Sequence, residues 1–336
     1  MNGNSSHGSG NGNGARSGTQ TLTLLALPLN VSILRAIAAK PQLQADLRRE
    51  TGSPPQTTLR AQLKRLAEIG AISKERRNSF PGILAYELTE AGRDLLFVID
   101  VLEGWLALAP SGPLRFGDNA ARAAVKALVE GWSTKMLRVL AARPLSLTEL
   151  DRVIGDLSYP SLERRLGAMR IVNQVEACQG NGRGTPYAVT DWARQGVAPL
   201  VAAARWERRH LAEETRAIGR HDIEAALLLS VPLVRLPAGV SGSCRMGVEF
   251  ANSAGRRLVG AMVEMDNGRV ASCTTQLQGH PDAWALGSSR AWMNAVLTAD
   301  TSRLELGGDC VFARSLLEGL HAALLPDPVG AAGELS

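Results

Sequence analysis

No stretch of the 336 residues approaches the ~18 uninterrupted apolar positions of a membrane span. Met1 to Gly18 are mostly Gly, Asn and Ser with no apolar core, so this segment reads as a disordered tail rather than a secretory signal. Residues 327–336 read the same way. Cysteine is scarce: Cys178, Cys244, Cys273 and Cys310 lie far apart with no Cys-x-x-Cys pair. That spacing argues against a disulfide framework or a zinc site and fits buried thiols in a reducing cytoplasm. His210, His221, His280 and His321 have no nucleophile partner or metal-ligand spacing, and His280-Pro281-Asp282 reads as a turn. Gly307-Gly308-Asp309 lacks the lysine of a phosphate loop. Neither an enzyme nor a cofactor is expected.

What is present is apolar content enough for sizeable cores and an uneven charge. At roughly 100 to 150 residues per domain, the length predicts two or three domains. Through Arg220 the chain carries 29 Lys and Arg against 20 Asp and Glu, and beyond it 8 against 12. A basic front joined to a mildly acidic back suggests a polyanion-binding module attached to one with another task.

The front two thirds are written twice. Leu34-Arg35, Ala38-Ala39-Lys40-Pro41, Leu47, Leu59 and Leu63 recur as Leu137-Arg138, Ala141-Ala142-Arg143-Pro144, Leu150, Leu162 and Leu166, at a constant offset of 103. Tyr86-Glu87-Leu88-Thr89 and Trp105 return as Tyr187-Ala188-Val189-Thr190 and Trp206, at an offset of 101. The two residues are lost in a glycine-rich loop.

Apolar spacing and punctuation give each copy the same elements. Copy 1 is expected to hold helices over 29–39, 42–51 and from an N-cap at Ser53 to Gly70, strands over 71–76 and 84–88 around a loop at 78–82, and a helix over 90–108. Copy 2 is expected to hold helices over 134–142, 146–154 and 161–170, a hairpin with its loop at 180–184, and a charged connector helix over 202–219. Three helices and a two-stranded wing describe a winged helix.

With the Leu59, Leu63 and Leu66 stripe inward, ~100° per residue turns Thr57, Ala61 and Lys64 outward, flanked by Thr58, Arg60 and Arg65. A short side chain, hydroxyls and cations suit a helix entering the major groove of double-stranded DNA. The matching surface of copy 2 is Ser161, Arg164 and Arg165, so the two copies should prefer different half-sites. Lys74, Arg76 and Arg77 on the first wing and Arg183 on the second are placed to reach phosphate or the minor groove. Such a unit can instead serve protein contacts.

Tyr86-Glu-Leu-Thr-Glu-Ala-Gly-Arg93 followed by Leu102-Glu-Gly-Trp105 resembles the end of an HxlR-type winged helix regulator. Trp132-Ser-Thr-Lys-Met-Leu-Arg-Val-Leu140 and Ser146-Leu-Thr-Glu-Leu150 resemble its front. The resemblance covers about 23–209. It lacks the N-terminal cysteine of some redox-sensing relatives. It implies a covalent pseudo-dimer, because one chain holds two copies of a unit that normally dimerises.

The last third alternates like strands at Cys244, Met246, Val248 and Phe250 and again over 258–265, and Asp266-Asn267-Gly268 reads as a hairpin turn. A third strand is expected over 270–277 and helices over 223–229, 289–297 and 311–324. Ala291-Trp292 and Gly307-Gly-Asp-Cys-Val-Phe-Ala-Arg-Ser-Leu-Leu-Glu-Gly-Leu320 resemble the end of the sterol carrier protein type 2 fold. That resemblance implies a cup around an apolar cavity. Leu228, Leu233, Met246, Val248, Phe250, Met262, Trp284, Trp292, Val296 and Phe312 are its candidate lining, each equally able to be core.

The expected architecture is multidomain. Two mainly helical winged helix domains (19–109 and 110–210) are followed by a connector (211–220) and an α+β sheet-and-helix cup (221–326). The expected function is DNA-binding regulation, with repression the expected sign, responsive to a small lipophilic or aromatic effector. The protein would act as a pseudo-dimeric monomer or a homodimer. The rival readings are a small-ligand carrier whose winged helices dock a protein, and a regulator whose last domain has a filled core.

Overall fold

The computed structural model describes residues 17–77, 83–131, 134–155, 157–179, 184–211, 218–252 and 255–326; at 76–77, 83, 130–131, 134–135, 250–252 and 256 it describes the backbone alone. Helix α1 (Thr19–Leu25) leads into α2 (Pro28–Ala39), where Pro28 occupies a first-turn position whose N–H would have no helical partner. β1 (Gln42–Leu43), α3 (Gln44–Glu50), α4 (Gln56–Glu68), β2 (Ile72–Arg77), β3 (Ile83–Leu88) and α5 (Glu90–Ala107) follow. The sheet order is β1-β3-β2. The helix expected from residue 42 starts two residues later, because Gln42 and Leu43 pair with Tyr86 and Ala85 across the sheet. Ser53 is not the cap expected: it stands at φ 55 after Gly52, and Pro55 precedes α4 without any side-chain cap.

A second unit has the same order, except that its closing helix is split into two. After α6 (Asn119–Gly131) come α7 (Thr134–Ala142), β4 (Leu145–Ser146), α8 (Leu147–Ile154), α9 (Tyr159–Ile171), β5 (Val175–Ala177), β6 (Pro186–Val189), α10 (Asp191–Gln195) and α11 (Val197–His210). Its sheet order is β4-β6-β5. The connector helix expected over 202–219 is α11, which begins at Val197 and ends at His210.

Equivalent residues hold both units together. Leu34, Leu47, Leu59 and Leu63 are buried in the first, and Leu137, Leu150, Leu162 and Leu166 in the second. Each fully buried leucine contributes about 1.5–3 kcal/mol before entropy is counted. The Thr89 hydroxyl donates to Gly70 O at 2.5 Å and accepts from Gly92 N, capping α5. The Thr190 hydroxyl donates to Asn173 O at 2.9 Å and accepts from Ala193 N, capping α10.

The units meet along α5 and α11, which run antiparallel. Trp105 Nε1 donates to Trp192 O at 2.8 Å, and Trp206 Nε1 donates to Ala91 O at 2.7 Å. Trp206 and Trp192 lie 101 residues beyond Trp105 and Ala91, so the two bonds exchange under a pseudo-two-fold rotation, as in an isologous interface. Trp105 and Trp192 also stack, with ring centroids 4.7 Å apart and planes within 5°. Arg209 pairs with Glu90 and Asp94, and His210 Nε2 lies 2.8 Å from Asp94. Buried Glu207 accepts from Gly18 N and, at 2.9 Å, from Thr21 N, tying α1 onto α11.

The remaining chain forms α12 (Arg220–Ser230), β7 (Gly242–Asn252), β8 (Gly255–Asp266), β9 (Arg269–Thr274), β10 (Ala283–Ser288), α13 (Ser289–Thr298), β11 (Glu305–Gly308) and α14 (Cys310–Leu324). The sheet is ordered β11-β10-β7-β8-β9, with β10 parallel to β7 and the other neighbours antiparallel. Asn267 and Gly268 both have positive φ, as a two-residue hairpin between right-twisted strands requires. The four-residue β11 and the Ala- and Gly-containing β10 lack the alternation that would mark them beforehand. One sheet face carries Cys244, Met246 and Val248 opposite Val263, Ala261 and Val259, all buried, with α12, α13 and α14 packed on that sheet. No single helix among the described residues is long and apolar enough to cross a membrane.

Candidate DNA-binding face and ligand cavity

Helix α4 buries Leu59, Leu63 and Leu66 and leaves Thr57, Thr58, Arg60, Ala61, Lys64 and Arg65 exposed together on the opposite side. Arg60 and Arg65 join no ion pair among the described residues, while Lys64 Nζ lies 3.6 Å from Glu68 with both side chains largely in solvent. Such a pair contributes little and yields readily to a phosphate. With Pro55 as its cap, the first turn of α4 keeps backbone N–H groups unsatisfied by any side chain, and those groups with the helix dipole favour an anion.

On the wing, Lys74 is exposed, its Nζ 5.8 Å from the centre of the Tyr86 ring. Arg76 and Arg77 continue β2 opposite Leu84 and Ile83, with only their backbone described. Arg183 lies outside the described residues.

The equivalent helix α9 is covered differently. Leu162, Leu166 and Met169 are buried and Arg164 is exposed, but Ser161, Arg165 and Ala168 are half-buried, with α6 packed against the helix. Arg170 reaches the Tyr187 hydroxyl at 3.3 Å.

Far from these faces, a cavity of about 140 Å³ lies among α1, α11, α12, α13, α14 and β7. Three of the proposed lining residues, Val248, Trp292 and Val296, border it. Trp292 Nε1 donates to Gly247 O at 2.8 Å. The other proposed residues do not border it, for reasons of strand register and packing. Met262 and Trp284 both pair across the sheet with Arg245, on the face opposite Met246 and Val248. Trp284 lies over Gly307, where an added Cβ would sit 2.1 Å from the indole. Met246 is fully buried in solid core, and Phe312 packs against Gly242 at the other end of the sheet. Leu233 ends a short 3-10 turn at 231–233, and the side chain of Phe250 lies outside the described residues. Leu228 borders a separate hollow shared by α7, α8, α12 and β9.

Sequence reasoning missed the α11 wall: Val197, Leu200, Val201 and Ala204. The apolar run from Val197 to Ala204, ahead of the charged end of that helix, was the available signal.

Beside the hollow, Glu224 of α12 has a side chain only 1% exposed; its Oε1 accepts from Arg220 Nε at 2.6 Å, and its Oε2 lies 3.3 Å from Arg138 NH1 of α7 as an ion pair without a hydrogen bond. A buried carboxylate requires such partners. Burial pushes the thiols of Cys244 and Cys273 up to about 12, so both stay protonated and unreactive near neutrality. Among the described residues, no group of three or more His, Cys, Asp or Glu could hold a metal ion.

Residues 29–110 match the family model of the HxlR-like helix-turn-helix, a family of transcription regulators that bind DNA. The match spans α2 through α5, and so includes the exposed face of α4 and the β2–β3 wing. No curated protein matches the chain.

Proposed function

We propose that the chain is a ligand-responsive DNA-binding transcription regulator, acting as a repressor, that sets α4 and α9 on unequal half-sites of one pseudo-palindromic operator. The observation that carries this reading is the exposed cationic face of α4 within the HxlR-like segment. The repeated element order and the exchange of tryptophan bonds between α5 and the α10–α11 segment support a covalent pseudo-dimer built from a duplicated unit. Half-sites are unequal on this reading because Thr57, Ala61 and Lys64 are answered by Pro160, Arg164 and Gly167. The sheet layered by helices on one face supports a ligand-holding role for 221–326, like that of the sterol carrier fold. An effector acts by binding two arrangements of the chain unequally.

The test is fluorescence anisotropy of the full chain with duplex DNA from upstream of its own gene, between about 50 and 200 mM salt, where counterion release makes phosphate binding fall steeply. Steep salt dependence, with a footprint of two unequal half-sites covered by one chain, is expected. Salt-independent or absent binding removes the reading and leaves a carrier with protein-docking domains. A perfect palindrome bound only by a dimer contributing one unit from each chain removes the pseudo-dimer.

A further inference from the structure

The 140 Å³ cavity is walled by three separate parts of the chain: Leu200 and Ala204 on α11, Ile223 and Leu227 on α12, and Trp292 and Val296 on α13. It therefore lies at the seam between the helical units and the C-terminal sheet domain, not inside the cup of that domain. Its lining is mainly apolar, and an apolar cavity of about 150 Å³ is large enough to admit benzene.

Two features narrow the ligand class. The Ser17 hydroxyl at its edge is buried with no hydrogen-bond partner among the described residues. A buried polar atom left so calls for a bound group. No Lys or Arg is among the described residues that line it. An anion would lose its water there with no cation to meet it, at prohibitive cost. The Trp292 N–H is already committed to Gly247 O.

We infer that this seam cavity binds a neutral, single-ring aromatic molecule that carries one hydrogen-bonding atom toward Ser17. The inference deepens the regulator reading of the preceding subsection and rests on it only for the consequence of binding. That consequence runs through α12, which borders the cavity with Ile223, Ala226 and Leu227 and holds α7 through Glu224 and Arg138. A ligand that shifts α12 shifts α7 of the second unit.

The experiment uses the full chain with phenol, toluene and benzoate. Phenol and toluene at ten times their Kd should raise the melting midpoint by about 3 °C, and benzoate should leave it unchanged. Phenol should bind several-fold tighter than toluene, and Ser17→Ala should abolish that advantage. Ala204→Leu and Val296→Phe, filling the cavity from opposite walls, should abolish the response to both. Because overpacking can unfold such variants, the Met293 methyl resonance of the wild type supplies a second readout: Met293 borders the cavity, and its signal should move on adding toluene.

No change in midpoint and no movement of the Met293 methyl would overturn the inference. Equal responses in folded, filled variants, or stabilisation by benzoate, would also overturn it. Phenol binding without salt-dependent duplex binding would uphold the cavity and remove the regulator reading. Duplex binding without any phenol or toluene response would do the reverse.

Discussion

Arg35 and Arg138 occupy the same position in the two similar units, yet they hold different things. Arg35 turns back to Glu103 and Asp100 on α5 of its own unit, in an exposed setting. Arg138 reaches out to Glu224, buried on α12 of the C-terminal domain. The helices α4 and α9 differ likewise: one offers an open cationic face, while α6 packs against the other and leaves Arg165 half-buried. Positions that fill the core are alike because packing tolerates few volumes. Positions that point outward answer to whatever each unit touches, so the second unit is tied to the C-terminal domain and the first is left open.

The largest effects should come where the units are most alike. Trp105→Ala and Trp206→Ala each remove a buried indole and its hydrogen bond across the seam, and each should cost about 3–5 kcal/mol in urea unfolding. A cost below about 1 kcal/mol for either would break the two-fold comparison at the seam.

The paired arginines should separate next. Arg138→Met leaves Glu224 buried with one cation fewer and should cost about 3 kcal/mol, at the low end for a broken buried pair because Arg220 remains. Arg35→Met breaks exposed pairs and should cost under about 1 kcal/mol. Equal costs would mean that Glu224 is satisfied without α7.

On the proposal that α4 and α9 face DNA, Arg60→Ala with Lys64→Ala should lower the slope of log affinity against log salt by about two, one for each phosphate contact. Arg164→Ala with Arg165→Ala should lower it by about one, since Arg165 is half-buried. A larger loss from the second pair would reverse the ranking of the two faces.

The smallest effect separates α8 from α3. Ser146 and Glu149 form a capping box on α8, whereas Leu43 precedes α3 with no side-chain cap. Ser146→Ala should cost about 1 kcal/mol. The Ser146 N–H and hydroxyl hold the Glu149 carboxyl below its ordinary value. That contribution is therefore present above the unfolded-state value and lost as pH falls through the depressed folded one. Wild type should lose more stability on acidification than Ser146→Ala, and parallel acid curves would show that the box is inert.

Most helices were legible because each signals itself locally. The Leu59, Leu63 and Leu66 stripe needs only neighbours a turn away. The two-residue strands β1 and β4 were hidden, since their partners lie about 40 residues along the chain. The lining of the cavity was half legible for the same reason. Alternation marks Val248 as inward, but only the pairing of Met262 and Trp284 with Arg245 shows that they share the opposite face.

The chain by itself determined the two similar units, their buried leucines and the outward cations of α4, because periodicity and a constant offset are properties of local spacing. Tertiary structure alone decided that Trp105 meets Trp192, that Arg138 serves Glu224, and that an apolar cavity opens between α11 and the C-terminal helices. Those are contacts between segments up to about a hundred residues apart. Their geometry follows from how whole surfaces pack, a quantity that no single stretch of sequence carries.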